Sequence, residues 1–382
     1  MNSLTDDEIV CRFAYMPYRP PGYKVKISKW PRLPANLPAL IPQEGKSVLC
    51  RLPAEILSAV ALHLDIESLM QFALTSRCNA HIALSTPEYV ALVRHAPTAL
   101  GGLSELGLLG LHTVAALHRI LTSDKCVLCG RFGSFFFALK GERCCWMCAA
   151  YDTRLWAVPL RDVMQEYRLT ESQLRMFPTT LDDRQGPLIS ARAAVSAALQ
   201  QRNGSEAAIR RDLHLPPRER KPMSKKDDAY AERLSEWQIY GDRSLQHISY
   251  ILDLAIRQQD AHQSSLMHSR AAYYIRRYHP AWRNAPYVRF PHLRPKQHGA
   301  SSDAGFWCPG CRLAAFGTVG DDPIMVRRAR EGYLREMSRT DFVKHARSCG
   351  KLQTALLENG EDKFRKVMAC GGRQTVCCQS SN

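Results

Sequence analysis

The stretch Leu52-Pro53-Ala54-Glu55-Ile56-Leu57-Ser58-Ala59-Val60-Ala61-Leu62-His63-Leu64-Asp65-Ile66-Glu67-Ser68-Leu69-Met70-Gln71-Phe72-Ala73-Leu74-Thr75-Ser76-Arg77 decides the fold class of this chain. Leu52, Ile56, Val60 and Leu64 recur at steps of four and Leu57 widens the stripe, which is the spacing of one face of an α-helix. Pro53 suits the first turn, where its missing N–H would have no intrahelical partner. A second amphipathic segment runs from Ile66 to Leu74 and a third lies around Pro87 to Val93. The expectation is a mainly α protein with a helical unit over 48–122.

Upstream, Pro17, Pro20, Pro21, Pro31, Pro34, Pro38 and Pro42 remove backbone donors and fix φ too often for a helix or central strand, so 1–47 reads as an extended leader. Downstream, 123–180 holds Phe132, Phe135, Phe136 and Phe137 between two cysteine pairs, where short strands are expected. Thr170 and Gln173 form the T-x-x-Q pattern of a capping box and predict a short helix ending before Pro178. A helix and a charged, proline-containing linker are expected over 181–228. A helical region follows over 229–300, with a long helix from Ala229 to Gln259 that carries Leu234, Trp237, Leu245, Ile248, Leu252 and Ile256 and has Gly241 as a kink point. Residues 301–355 read as a zinc-finger-like region and 356–382 as a mobile tail. No internal repeat of the propeller or leucine-rich type is present.

The 382 residues suffice for two or three compact units. No run of about 18 apolar residues occurs, so no membrane span is read. The first residues carry Asp6, Asp7 and Glu8 and lack a basic segment leading into an apolar one, unlike a secretory signal. A cytoplasmic or nuclear protein is expected. In a reducing compartment, fourteen cysteines, several of them paired as C-x-x-C, point to metal ligands rather than disulfides. The formal net charge of +16 favours acidic partners, but the basic residues are scattered. Their densest group, Arg218, Arg220, Lys221, Lys225 and Lys226, reads as a solvated linker, with a nuclear-import or nucleic-acid patch as the alternative.

Cys126-x-x-Cys129 and Cys145-x-x-Cys148 are separated by fifteen residues, the pattern of a four-cysteine zinc site. Two intervening residues let a tight knuckle aim both sulfurs at one ion, and Gly130 can take the positive φ that such a turn needs. Four ligands close the tetrahedron, leaving no position for substrate, so a structural role is expected. Lys125, Arg131, Lys140 and Arg143 are available to offset the negative charge of four thiolates on one dication. Cys144 competes with Cys145 as a ligand; Cys145 is preferred because it keeps the two-residue spacing to Cys148. A second set combines Cys308-Pro309-Gly310-Cys311 with His345 and Cys349. The last two are four apart and share one face of a helix starting near Thr340. One or two structural zinc ions are therefore expected.

The run Leu52-Pro53-Ala54-Glu55-Ile56-Leu57, followed by Leu62, Leu64, Leu69, Phe72, Ser76 and Arg77, resembles the F-box motif. Pro87-Glu88-Tyr89, Ala96-Pro97-Thr98-Ala99-Leu100 and the cysteine-rich segment after them resemble the extension seen in F-box proteins of filamentous fungi, and the likeness spans about 48–180. The resemblance implies a three-helix F-box unit that docks on the Skp adaptor of a cullin-RING ubiquitin ligase; with the cysteine spacing and periodicity above, the expected fold continues with a small zinc-stabilised α+β module and a helical C-terminal region with a second zinc site. It implies that Leu52, Pro53, Ile56 and Leu57 supply the docking surface with Leu64 in support, and that the rest of the chain presents a protein substrate for ubiquitin transfer.

No G-x-S-x-G, P-loop, dinucleotide fingerprint or H-E-x-x-H is present, and the thirteen histidines are mostly isolated, so no catalytic activity is expected. The competing reading is a zinc-dependent nucleic-acid-binding protein. It rests on Arg276, Arg277, Arg283 and Arg289 alternating with Tyr278, Trp282, Tyr287 and Phe290, where guanidinium groups would hold phosphate while rings stack on bases.

Overall fold

The computed structural model describes residues 4–14, 52–151, 153–182, 186–205, 208, 286–294, 301–312 and 335–357. The expected Ala229 to Gln259 helix, the basic group at 218–226 and most of the leader and tail lie outside these residues. The described part is helix-rich with three small sheets.

Six helices follow one another from the opening stretch: α2 (Ala54–His63), α3 (Ile66–Thr75), α4 (Arg77–Ser85), α5 (Pro87–His95), α6 (Pro97–Glu105) and α7 (Val114–Thr122), after an isolated α1 (Asp6–Phe13). The three segments read from periodicity correspond to α2, α3 and α5, with α4 between the last two. Short polar residues punctuate the run. Asp65 caps α3 by accepting from the Ser68 N–H at 2.8 Å, Ser76 caps α4 by accepting from Asn79 at 3.1 Å, and prolines open α5 and α6. Each helix turns an apolar face inward: Ala61, Ile66 and Leu69, Ala83, Leu92 and Val93, Leu100 and Leu103, Leu117 and Leu121 are all buried in one core, and Leu57 of α2 is buried as well. The Leu64 carbonyl accepts from the Val114 N–H at 2.9 Å, tying the end of α2 to the start of α7.

The phenylalanine-rich stretch forms β1 (Phe135–Phe137), which pairs antiparallel with β2 (Glu142–Cys144) as expected for short strands between the cysteine pairs. A third strand, β6 (Tyr287–Arg289), comes from far along the chain and pairs with the other edge of β1, setting Tyr287 opposite Phe137. α8 (Trp146–Tyr151) and a 3₁₀ turn (Thr153–Leu155) lead into a second sheet in the order β3 (Ala157–Pro159), β5 (Gly186–Ser190), β4 (Thr179–Asp182). α9 (Leu160–Tyr167) and α10 (Glu171–Leu174) separate these strands, and the box is present at α10, where Gln173 Oε1 accepts from the Thr170 N–H at 2.8 Å. Both sheets and α11 (Ala191–Gln201) share the main core with α2 to α7.

A smaller second core gathers Phe306, Met337, Phe342, Val343, Ala346 and Leu352 around α12 (Arg339–Ser348), with Ile9, Val10 and Phe13 of α1 packed against them. Between Arg289 and this unit, β7 (His292–Arg294) and β8 (Ser301–Asp303) form an antiparallel pair. No helix among the described residues is long and apolar enough to cross a membrane.

Glu336 joins the two cores. Its buried carboxylate accepts from the Ser134 N–H at 3.2 Å, from the Ser134 hydroxyl, and from the Trp146 N–H at 3.0 Å. Burial pushes this carboxyl up from its ordinary 4.5 to about 7, against the three donors and Arg289, which favour the ionised form. A carboxyl whose folded value lies above its unfolded one contributes most stability below the unfolded value and loses it as pH rises through the folded one. Over pH 5 to 8, Glu336→Gln is therefore expected to remove roughly 3 kcal/mol of pH-dependent destabilisation, from 1.36 kcal/mol per unit. Urea unfolding of both proteins at pH 5 and pH 8 checks this; parallel pH profiles would contradict it.

Candidate metal centres and docking face

The Cys126–Cys129 knuckle is built by its backbone. The Cys126 N–H donates to Arg131 O at 2.7 Å, the Gly130 N–H to Cys126 O at 2.9 Å, and the Val127 N–H to Arg143 O at 3.0 Å. Gly130 has φ +67, a conformation that costs an L side chain strain, as its place after the second cysteine led us to expect. The second pair arrives as β2 ends and α8 begins, with the Cys148 N–H directed at Cys145 Sγ at 3.4 Å. The four sulfurs of Cys126, Cys129, Cys145 and Cys148 all lie within 4.8 Å of one another. Cys129 and Cys145 Sγ are 3.7 Å apart. Cys144 is not in this group: at the end of β2 it faces the core, fully buried, and burial holds its thiol well above the usual range.

The second group, Cys308, Cys311, His345 and Cys349, satisfies the same 4.8 Å limit. Here the Cys311 N–H points at Cys308 Sγ at 3.5 Å, and Gly310 lies so close to the following helical segment that a Cβ would sit 2.4 Å from Leu352 Cα. His345 and Cys349 fall one turn apart because Ser338 caps α12, accepting from the Asp341 N–H at 3.1 Å. Cys349 Sγ lies 3.8 Å from both Cys308 and Cys311 Sγ, and His345 Nε2 lies 3.5 Å from Cys311 Sγ. The histidine is raised to about 9 by hydrogen bonds to Cys311 and Cys349. Within each cluster one thiol is held far below the usual range by its cysteine neighbours: Cys129 by Cys126, Cys145 and Cys148, and Cys349 by Cys308 and Cys311. Four convergent donors with a thiolate among them are geometrically compatible with a metal ion, one per cluster.

Of the basic residues available to offset the four-cysteine site, Arg143 is the buried one, at 1% exposure. Its guanidinium donates to Ile120 O from Nε at 3.1 Å and from Nη2 at 2.6 Å. It also donates to Gly133 O at 2.6 Å, Phe290 O at 3.0 Å and Pro291 O at 2.7 Å. Burial lowers it to about 10, so it stays charged at neutral pH. Sequence reasoning named Arg143 as a local counter-charge and did not anticipate that it grips β6. It missed Glu336 altogether, because neither residue carries a spacing signature.

The α2 residues divide cleanly. Ile56 and Val60, one turn apart on the helix, are 50% and 42% exposed, and Leu52 at 40% and the exposed N-cap Pro53 lie just before it. Leu57, expected on the docking surface, instead turns inward at 3% exposure, and Leu64 is half-buried against the main core. The rotation follows from helix geometry, since residue 57 is 100° around from residue 56 and faces Ala61 one turn on. On α3, Met70 at 41% and Leu74 at 87% are also exposed. Of the basic aromatic stretch, Tyr287 and Phe290 are described, and both rings are fully buried.

No protein-family model, no curated protein and no solved structure matches the chain.

The geometry leads us to expect two bound metal ions per chain. By elemental analysis of the purified protein, Cys145→Ser and Cys349→Ser should each lower the count by about one, and Cys144→Ser should leave it unchanged. A drop on Cys144→Ser with none on Cys145→Ser would reassign the ligand.

Proposed function

We propose that this protein is an F-box adaptor of the filamentous-fungal type, binding a Skp-type subunit of a cullin-RING ubiquitin ligase through α2 and presenting a protein substrate. The observation that carries this reading is the apolar row of Ile56 and Val60 on α2, with Leu52 just before it, left open to solvent on a helix whose other face is already packed. Single exposed leucines are ordinary on a surface, whereas two apolar residues one turn apart, with a third just before the helix, form an anchor row of the kind that a helix-binding groove takes. The resemblance of Leu52 to Arg77 to the F-box motif names the groove. Leu57 and Leu64 support the helix from beneath.

Zinc is the metal we assign to both clusters. A tetrahedron with Zn–S bonds of about 2.3 Å has sulfur–sulfur edges of about 3.8 Å, and about 3.5 Å from sulfur to a histidine nitrogen bound at about 2.0 Å. The distances of 3.7 to 3.8 Å and 3.5 Å in the two clusters fit this set. Bound zinc would supply cross-linking of the fold and no open coordination position, in keeping with a non-enzymatic role in cytoplasm or nucleus, where ubiquitin ligation operates. The nucleic-acid reading draws less support, because Tyr287 and Phe290 are core rings rather than a stacking surface.

Co-expression with a Skp-type adaptor and affinity capture tests the proposal. Ile56→Asp with Val60→Asp is expected to reduce capture at least tenfold while leaving metal content and helicity unchanged, since neither side chain is in the core. Capture equal to that of the unaltered protein would remove the adaptor reading.

A further inference from the structure

A short buried route of hydrogen bonds joins the two cysteine clusters. Trp146 directly follows the ligand Cys145, and its N–H donates to Glu336 Oε1 at 3.0 Å. The next residue, Met337, exchanges two backbone bonds with Phe306, each at 2.9 Å. Cys308 lies two residues beyond Phe306, and Ser338, the cap of the helix that carries His345, directly follows Met337. The Glu336 carboxylate also takes the Ser134 N–H and hydroxyl, next to the turn that leads out of the Cys126–Cys129 knuckle. Glu336, Met337, Phe306 and Trp307 are all buried, and the Arg289 guanidinium of β6 lies 5.4 Å from the Trp307 ring centre.

Coupling between two sites needs more than a continuous path; it needs an element that both sites bias between two states. The seating of Glu336 on Ser134 and Trp146 is such an element. Metal binding is linked to the ordering of the segments that carry the ligands. An ion held by Cys145 and Cys148 fixes the start of α8, and with it the Trp146 N–H. An ion held by Cys308, Cys311, His345 and Cys349 fixes the 306–308 segment and α12, between which Glu336 is held. A buried carboxylate is tolerated only where its donors are met, and losing one leaves a desolvated oxygen that costs more than an ordinary hydrogen bond. Seating is therefore favoured when both partners are in place, and each ion prepares one of them.

We propose that Glu336 couples metal binding at the two clusters, so that an ion at either one raises the affinity of the other and the chain takes up its two ions as a cooperative pair. This rests on the reading that each cluster holds zinc and is independent of the adaptor reading, which rests on α2. Linkage requires the factor to be the same in both directions, and a coupling of about tenfold, or about 1.4 kcal/mol, is expected. At limiting zinc the chains then divide between empty and doubly loaded forms, with few carrying one ion.

The test is a zinc titration in competition with a chromogenic chelator. It is made on the full chain, on Cys126→Ser with Cys129→Ser, and on Cys308→Ser with Cys349→Ser. The overall constant of the unaltered chain is expected to exceed the product of the two single-cluster constants by about tenfold or more. The set is repeated with Glu336→Gln and with Glu336→Ala. Gln keeps an oxygen where the Ser134 and Trp146 N–H groups donate, so the coupling should persist. Ala removes that oxygen, so the two constants should become independent while both ions still bind at saturating zinc. Independent constants in the unaltered chain, coupling that survives Glu336→Ala, or coupling lost in Glu336→Gln would each overturn the proposal. So would loss of an ion from Glu336→Ala at saturation, which would make Glu336 part of one cluster's own fold. A saturation count below two in the unaltered chain is a separate outcome, which removes the zinc reading and the coupling with it.

Discussion

A guanidinium can be buried only if its donors are met and its charge is answered, and Arg143 meets both conditions by drawing distant parts of the chain together. Its five N–H donors are all engaged, on carbonyls of Ile120 at the end of α7, Gly133 after the knuckle, and Phe290 and Pro291 after β6. Carbonyls satisfy hydrogen bonding but carry no net charge. The attraction that keeps Arg143 ionised comes first from Glu336, with Asp124 adding to it, and four thiolates on a dication one residue beyond β2 would add more. Removing one partner of such a cluster leaves the other charged and buried, which costs far more than the pair contributes. The helical unit, the four-cysteine centre and the returning strand are therefore held to one geometry.

Glu336 extends the same constraint. It accepts from Ser134 and from the backbone of Trp146, the residue after Cys145, so the C-terminal unit is anchored at the base of the four-cysteine site. Gly305 permits the approach: its φ is +83, and a Cβ there would sit 3.1 Å from Phe132 and Ser134 side-chain carbons. Two cysteine-rich clusters far apart in sequence, each able to hold a metal ion, thus flank one buried network of opposite charges, and each brings together local turns that the network joins over long range.

What could be read from the sequence was what depends on near neighbours. The stripe of Leu52, Ile56 and Val60, the box at Thr170 and Gln173, the positive φ at Gly130 and the one-turn spacing of His345 and Cys349 are all set within a few residues, where periodicity and coordination chemistry act. Cys145 could be preferred to Cys144 because a knuckle needs two intervening residues, and it is Cys145 that joins the sulfur group. Long-range pairing left no such trace. Nothing local in Tyr287-Val288-Arg289 announces that it extends the sheet of Phe135 to Phe137, and Glu336 looks like any surface glutamate until Ser134 is placed beside it. The inward turn of Leu57 shows the limit of a stripe read one residue too wide: a 100° step separates a solvent face from a core face.

The two apolar helix faces at issue are treated in opposite ways. The face of α12 is covered by α1, a segment the chain carries to it across 15–51, whereas Ile56 and Val60 on α2, and Leu52 just before it, stay 40% to 50% exposed. Burial of such side chains is worth about 1.5 to 3 kcal/mol each, so an uncovered row forgoes stability that a modest repacking would recover. The inward side of α2 is formed by other residues, Leu57 at 3% exposure and Ala61 in the main core. Ile56 and Val60 are thus an apolar pair that the fold leaves uncovered, whereas the apolar face of α12 is met within the chain by Ile9, Val10 and Phe13.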